Sequence, residues 1–330
     1  MRIMFVGDLN LGEYYPSFGH GPGTFANTSY IFANVQSIFD RADFVIGNLE
    51  APITSRNIHK SEVERTVLKV QPAHAYQLKN AGFGLLQVSN NHMLQHSDEG
   101  FDDSLKTLTH LGISAIGLNN SPPVMLEQNG LRIGILAASD VPDNTNKQQT
   151  KYQCLDESFI ERVKSEVTNF DHLIVLLHWG LEASTSPLLY QRQIADSFYQ
   201  AGVSAVVGNH PHLFYEIEKR DNFICAYSLG NFVFDLCWDK RMVKTGILDL
   251  KLSKNNIYGK FWPIEIKKNG CLPTPSGEPE DINKTLIHYN LRKKMRFQQI
   301  RKSIYLILNL CRGNSLLKIK FIIEKLSRRS

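Results

Sequence analysis

The chain has 330 residues, 42% apolar and 21% charged, so it can bury one or two ordinary globular cores. Its five cysteines form no CxxC pair and are odd in number, which argues against a disulfide framework and against a zinc knuckle. The net charge of +5 hides an asymmetry, because residues 282–330 hold thirteen Lys or Arg and one acid, whereas the rest has more acids than bases.

Up to residue 207, short β-rich runs alternate with segments of helical spacing. Strands are predicted at residues 2–6, 43–47, 84–88, 131–137, 171–177 and 203–207. Helices are predicted at residues 30–41, 73–81, 99–111 and 188–201. This alternation predicts an α/β fold with a substantially parallel sheet. The near-continuous apolar strands are typical of a sheet that is covered on both faces.

The pattern changes to β-rich segments after residue 211. They lie at residues 213–217, 223–227, 232–234, 246–252 and 257–266, and we expect them to pair as a second sheet. Residues 270–281 are rich in Pro and Gly and are predicted to be a linker. The linker would join a domain of residues 1–269 to a basic tail of residues 282–330, for which one or two helices are predicted.

Polar residues that can bind metals follow five of the predicted strands. The clusters are Gly7-Asp8-Leu9-Asn10, Gly47-Asn48-Leu49-Glu50, Ser89-Asn90-Asn91-His92, His178-Trp179-Gly180 with Glu182, and Gly208-Asn209-His210-Pro211-His212. In open α/β sheets, sites form outside the carboxyl ends of the strands, so we expect the clusters to converge. Imidazole, carboxylate and amide groups together suit divalent Mn, Fe, Zn or Mg. The sequence therefore predicts a centre for one or two such ions.

Each of these residues alone has a simpler interpretation. A single histidine after a strand is usually a hydrogen-bonded core or loop residue. Asp8 alone could cap a helix, and Asn48 and Asn91 alone are ordinary turn residues. The joint arrangement favours a metal site, because independent turns would not all carry metal-binding side chains. Histidines without a partner cluster, among them His96, are interpreted as structural or solvated.

The clusters resemble the motifs of bacterial capsule synthesis proteins of the CapA type. That family is linked to poly-γ-glutamate capsules and is similar to calcineurin-like metallophosphoesterases. The resemblance runs in family order across about residues 1–250 and includes Tyr227-Ser-Leu-Gly-Asn-Phe-Val-Phe-Asp235. It implies a metallophosphoesterase-like, four-layer α/β/β/α sandwich, beyond which the basic tail extends.

The resemblance also implies roles for single residues. The implied metal ligands are Asp8, Glu50, Asn91, His178, His210 and His212. His178 and His210 would bind one ion and His212 the other, with Glu50 near the position of the phosphoesterases' bridging aspartate. His92 would be the general acid, with a metal-bridged hydroxide as nucleophile. Residues expected to support the ligands or contact substrate are Asn10, Asn48, Glu182 and Asn231.

Three positions depart from the related patterns. Phosphoesterases usually carry Asp-x-His on the first strand, where this chain has Asn10 in the third place. Their second motif is Gly-Asp, where this chain has Asn48, so that Glu50 is the nearest acid. The capsule family typically has Asp three residues after the histidine of Asn-Asn-His, and here that residue is Gln95.

Two functions follow from these patterns. The first is a metal-dependent hydrolase of phosphoesterase type in capsule, poly-γ-glutamate or exopolymer biosynthesis, acting on a phosphorylated substrate or an anionic polymer. The second is a non-catalytic accessory protein that binds an anionic polymer or anchors a capsule synthase complex at the membrane. Asn10, Asn48 and Gln95 favour the second function by lowering the number of acids. Both functions imply contact with capsule assembly proteins.

The basic tail leaves two main interpretations open. It could form an amphipathic helix on an anionic membrane, or a helix that packs its apolar stripe on the body of the protein. Nucleic-acid binding is a third interpretation, but no nucleic-acid partner is expected. We find neither a signal-peptide pattern nor the roughly 18–20 apolar residues that cross a bilayer. We therefore expect a cytoplasmic protein with peripheral contact at the inner face of the membrane.

Overall fold

A computed structural model describes residues 1–286 and 297–327 as two β-sheets with flanking helices. The strands are β1 (Arg2–Leu9), β2 (Phe44–Leu49), β3 (Phe83–Gln87), β4 (Ser114–Ile116), β5 (Val124–Gln128), β6 (Leu131–Ser139), β7 (His172–His178), β8 (Ala205–Asn209), β9 (Ile217–Arg220), β10 (Phe223–Ala226), β11 (Asn231–Val233), β12 (Lys244–Ser253), β13 (Asn256–Lys267), β14 (Leu272–Pro275) and β15 (Glu280–Asp281). The α-helices are α1 (Pro22–Ala26), α2 (Gln36–Phe39), α3 (Glu62–Thr66), α4 (Pro72–Asn80), α5 (Ser97–Leu111), α6 (Glu157–Glu166), α7 (Leu189–Ala201), α8 (Gln298–Asn309) and α9 (Ser315–Ser327). Short 3₁₀ helices cover Tyr15–Ser17 and Val167–Asn169.

Each sheet has a parallel centre. The first has the order β14-β13-β12-β1-β2-β3-β4, and the second has the order β5-β6-β7-β8-β10-β9. Strands β1 to β4 run parallel, as do β6, β7, β8 and β10. Strands β12 to β14 extend the first sheet in antiparallel fashion. The predicted α/β fold with parallel pairing is confirmed.

Side-chain alternation along the strands builds the layers. Ile3 and Phe5 of β1 pack with Ile174 of β7 in the core between the two sheets. Their neighbour Met4 belongs to the other core, which also contains Phe101 of α5. Successive side chains of a strand point to opposite faces, so a strand in the middle layers must be apolar on both. The result is the four-layer α/β/β/α sandwich.

The prediction that the segments after residue 211 form a sheet of their own is wrong. β9 and β10 join the second sheet beside β8, whereas β11, β12 and β13 join the first. The reason lies in β12, which pairs with β1 from Arg2 opposite Lys251 to Phe5 opposite Leu248. This pairing places Leu248 and Leu250 in the core between the sheets. Of the strand predicted at 213–217, only Ile217 lies within a strand.

The helix predicted at residues 30–41 is also shorter than expected, since only α2 is helical. The backbone N–H of Ile31 donates to the side chain of Gln77, which in turn donates to the carbonyls of Ala26 and Ser29. These bonds hold the preceding segment in turns. The other three predicted helices correspond to α4, α5 and α7, and αL glycines follow α5 and α7 at Gly112 and Gly202.

The segment predicted as a linker contains β14 and β15, and both pair with β13. It is therefore hydrogen-bonded to the first sheet over part of its length. The division into a domain of residues 1–269 and a separate tail stays a prediction.

The basic tail contributes α8 and α9. Its residues 287–296 and 328–330, among them Arg292 and Arg328, lie outside the described residues. The ring of Phe321 in α9 stacks on Tyr15, with ring centroids 4.3 Å apart. Arg301 of α8 forms an ion pair of 2.6 Å with Asp239. Within residues 1–286 and 297–327, no helix has the length and apolar character needed to span a bilayer.

Candidate metal centre

The polar clusters meet because their strands end side by side. Asp8 of β1 lies opposite Asn48 of β2 on one side and Asn231 of β11 on the other. In the second sheet, His178 of β7 lies opposite Asn209 of β8. Parallel strands bring their carboxyl ends to one edge, so clusters that are far apart in the sequence become neighbours.

Two groups of three side chains are suitable for metal binding. One consists of Glu50, His178 and His210, and the other of Asp8, Glu50 and His212. Within each group the potential ligand atoms lie within 4.8 Å of one another, and every member is buried. Glu50 belongs to both groups. Its Oε1 lies 3.6 Å from Nε2 of His178 and 3.7 Å from Nε2 of His212. Glu50 would therefore contribute to both groups if each held an ion.

The carboxylate of Glu50 is poorly stabilised by the protein itself. Glu50 is fully buried, and neither carboxylate oxygen has a hydrogen-bond partner among the described residues. Burial, followed by the charge of Asp8, raises its pKa well above the usual value. A buried polar group without a hydrogen bond costs on the order of 1–3 kcal/mol, and more if it is charged. A divalent cation between the histidines would supply the missing partner, so the residues fit a metal centre.

The histidines differ in their protonation. Burial, followed by neighbouring histidines, lowers the pKa of His178 and of His210 well below the usual value. Burial also lowers the pKa of His212, but the hydrogen bond and the charge of Asp8 outweigh it and raise that pKa overall. Neutral imidazoles bind metals, so His178 and His210 are already in the required form at neutral pH.

His210 and His212 have an unusual backbone conformation. The φ angle is 95° at His210 and 57° at His212, a region that residues other than glycine rarely adopt. The His210 N–H donates to Asp8 Oδ2 over 3.3 Å. Such conformations cost energy and persist where the surroundings enforce them, often at functional sites. Here they place the rings of His178 and His210 with centroids 4.7 Å apart.

Asparagines orient the ligands. Asn48 donates to Asp8 Oδ1 over 2.8 Å and lies 3.2 Å from Nδ1 of His178. The amide oxygen of Asn91 lies 2.8 Å from Nε2 of His178, on the side that faces Glu50. Asn231 Oδ1 lies 2.9 Å from Nδ1 of His212. Residues that fix the ligand orientation in this way strengthen metal binding.

His92 stands at the edge of the centre. Its Nε2 lies 4.0 Å from Glu50 Oε1, and its side chain keeps 11% exposure, whereas the side chains of His178 and His212 keep 0% and 2%. Its Nδ1 lies 3.1 Å from Oε1 of Gln95 and 3.3 Å from the amide of Asn144. Gln95 therefore orients His92 at the position where the capsule family typically carries Asp.

Two predicted residues lie apart from the ligand groups. Asn10 turns towards its own loop, where its Oδ1 accepts the N–H of Gly12 over 2.9 Å. Glu182 is exposed, although its charge still acts on Glu50, His92 and His212. It lies at the rim of the centre.

The sequence interpretation missed Asp140. This residue follows β6 at the same sheet edge, and its N–H donates to the carbonyl of His178 over 3.1 Å. One carboxylate oxygen accepts from Tyr190, and the other has no partner in the described part of the chain. Burial raises the pKa of Asp140 to about 6. The strand-end pattern applies to Asp140 as well, but the predicted strand stopped at residue 137, two residues before Ser139, where β6 ends.

The chain is similar to known capsule proteins. Residues 2–236 match the family described as "Bacterial capsule synthesis protein PGA_cap". The PGA biosynthesis protein CapA of Bacillus subtilis (strain 168) is 30% identical over 297 residues, which are 87% of this chain and 77% of that protein. The capsule biosynthesis protein CapA of Bacillus anthracis is 27% identical over 263 residues, covering 73% of this chain and 61% of that protein.

The fold is shared with a solved structure, a putative 5′-nucleotidase from Staphylococcus aureus in complex with α-ketoglutarate. The TM-score is 0.50 at 13% sequence identity, and the match covers 92% of this chain and 58% of that chain. At this identity the likeness shows the fold alone, and it confirms the expected metallophosphoesterase-like architecture. Since the family match extends over most of the sequence, this chain belongs to the PGA_cap family of bacterial capsule synthesis proteins, the family of the CapA proteins.

Proposed function

We propose that this chain is a metal-dependent hydrolase of phosphoesterase type that acts in capsule or exopolymer biosynthesis. The observation that carries the proposal is the Glu50 carboxylate, which is buried without a hydrogen-bond partner among the described residues and lies between two histidine groups. Buried polar groups in folded proteins nearly always have a hydrogen-bond partner, so this acid requires an explanation, and a bound cation would supply one. The family supports the place in capsule biosynthesis, and the fold supports phosphoester chemistry.

We assign each residue of the centre a role in binding the ions or in orienting their ligands. Glu50, His178 and His210 would hold one ion, and Asp8, Glu50 and His212 the other, with the Asn91 amide oxygen as a further ligand. A divalent ion bound there supplies positive charge for a phosphoryl oxygen and lowers the pKa of a bound water. Asn48 and Asn231 would keep Asp8 and His212 in position.

His92 would donate a proton from Nε2 to the leaving group. Gln95 and Asn144 hold its Nδ1, so that Nε2 faces the centre. Burial lowers the pKa of His92, whereas the hydrogen bond with Gln95 and the Glu182 charge raise it. An anionic phosphoryl group beside Nε2 would also raise it, which favours the protonated imidazole that a general acid needs.

The substrate that fits these groups is a phosphorylated molecule or an anionic polymer. We propose that the protein works with capsule assembly proteins and lies on the cytoplasmic side of the membrane. The burial of the ligands restricts access to the side of His92 and Glu182, so the reacting ester would have to enter at this rim.

The test uses the full chain loaded separately with Mn²⁺, Zn²⁺, Fe²⁺ or Mg²⁺, with p-nitrophenyl phosphate and an alkyl phosphate as substrates. We expect hydrolysis with at least one ion. His92→Asn should slow the alkyl ester by about 10²- to 10⁴-fold, the usual contribution of a general acid. It should slow the nitrophenyl ester much less, because that leaving group needs little protonation.

The control is metal content, which should be equal in His92→Asn and in the parent because His92 is not a proposed ligand. Equal slowing of both esters would contradict the role of His92. Stoichiometric metal without hydrolysis of either ester would reject the hydrolase. A chain that binds no metal would favour the non-catalytic accessory protein instead.

A further inference from the structure

Each of the tail helices, α8 and α9, has one face against the body of the protein. Tyr305 of α8 donates to Asn269, and Phe321 of α9 stacks on Tyr15. Buried Lys318 of α9 donates to the carbonyl of Asn309 in α8 over 2.7 Å, which joins the two helices to each other. The body is thus already in contact with one side of both helices.

The opposite side of each tail helix carries a second apolar stripe, here called the outward stripe. It consists of Ile300, Ile304, Ile307 and Leu308 on α8 and of Leu316, Ile319, Ile323 and Leu326 on α9. The spacings are typical of a single helix face. All eight side chains are between 43% and 74% exposed. Residues 1–286 expose only six comparable side chains, so the stripe is a concentrated feature.

The charge of the tail indicates what covers this stripe. Residues 282–330 hold thirteen Lys or Arg against one acid. Arg301 and Lys320 are paired with acids of the body, but Lys302 and Lys325 lie over aromatic rings and Arg312 is exposed. A second copy would bring one strongly positive tail against another, which disfavours self-association through the stripe. An anionic bilayer complements both the positive charge and the apolar side chains.

We propose that α8 and α9 dock on an anionic lipid surface, with the outward stripe in the headgroup region. Helices of 12 and 13 residues are about 18–20 Å long, too short to cross the hydrocarbon core, so they would lie in the plane of the surface. This inference goes beyond the proposed hydrolase and does not depend on it, because no residue of the metal centre takes part.

The test is sedimentation of the full chain with two kinds of vesicle, phosphatidylcholine alone and phosphatidylcholine with an equal part of phosphatidylglycerol. We expect the chain to pellet with the anionic vesicles and to be released by salt. Leu308→Gln and Leu316→Gln should each weaken binding on the order of tenfold, since each removes one side chain from apolar surroundings. Leu189→Gln is the matched control: Leu189 is 72% exposed but lies on α7, and its variant should bind like the parent.

Unchanged melting temperatures would show that the three variants fold. Equal pelleting with neutral and anionic vesicles, or full binding by both tail variants, would overturn the proposal. A concentration-dependent dimer that Leu308→Gln dissociates would also overturn it, because a second copy would then cover the stripe.

Discussion

Replacing Glu50 by glutamine is expected to change stability and metal binding in opposite directions. The carboxylate is fully buried without a hydrogen-bond partner in residues 1–286 and 297–327, and its Oε1 lies 3.6–4.0 Å from three imidazole nitrogens. Glutamine keeps the shape, cannot ionise and adds N–H donors towards those nitrogens. Relief of the unsatisfied group should raise the unfolding free energy of the metal-free protein by about 1–3 kcal/mol.

The same substitution removes the carboxylate shared by both ligand groups, so Mn²⁺ affinity should fall by about 100-fold or more, a loss at the upper end of that seen for supporting residues. At a Mn²⁺ concentration of about 100 times the parent's Kd, the ion stabilises the parent by about 2.7 kcal/mol. A variant with a 100-fold higher Kd gains only about 0.4 kcal/mol. The difference in unfolding free energy between Glu50→Gln and the parent should therefore shift by about 2 kcal/mol in favour of the parent when Mn²⁺ is added.

The assay is urea unfolding with a chelator and with Mn²⁺, for the parent, Glu50→Gln and the control Glu127→Gln. Glu127 is exposed on β5, so its variant should follow the parent under both conditions. A Glu50→Gln variant that is less stable than the parent in chelator, or equal stabilisation of both proteins by Mn²⁺, would contradict the proposed role of Glu50.

Two further substitutions test buried positions outside the proposed ligands, one through its titration and one through its packing. Burial lowers the pKa of His96 to about 4, so the unfolded chain binds the proton more tightly and stability falls as the pH drops below about 6.5. His96→Gln should reduce the loss of unfolding free energy between pH 7 and pH 5 by about 2 kcal/mol, measured by urea unfolding, and an unchanged pH dependence would refute this. A Cβ on Gly208 would lie 2.0 Å from the carbonyl oxygen of Tyr227, so Gly208→Ala should destabilise by about 3 kcal/mol or more. Gly277→Ala, whose nearest contact is 3.5 Å, should stay within about 0.5 kcal/mol, and equal melting temperatures for both variants would contradict the packing argument.

The sequence could bring the candidate ligands to one sheet edge because strand ends are a local signal, whereas their role as metal ligands stays a prediction. Asp8, Glu50 and His178 each follow or end an apolar run, and parallel pairing brings such ends together. Asp140 obeys the same rule and was missed only because the end of its strand was placed two residues early. Asn144 lies in an irregular loop and approaches His92 through the fold alone, so no periodicity marks it.

The errors in the fold come from contacts between distant segments. The sequence around β12 does not indicate that its partner strand is β1. The two strands are far apart in the chain, since Arg2 of β1 donates to Asp249 of β12, 247 residues away. Likewise, the turns before α2 depend on Gln77. Its side chain accepts a hydrogen bond from the N–H of Ile31, which lies 46 residues earlier in the chain. Local hydrophobic patterns predict elements, whereas the choice of partner strand depends on the assembled core.

The most direct test of the metal centre is an anomalous difference map from a crystal of the full chain soaked in Mn²⁺. We expect density between Glu50, His178 and His210, with a second position between Asp8, Glu50 and His212 at higher Mn²⁺ concentration. A map with bound Mn²⁺ elsewhere, or with none between these side chains, would contradict this expectation.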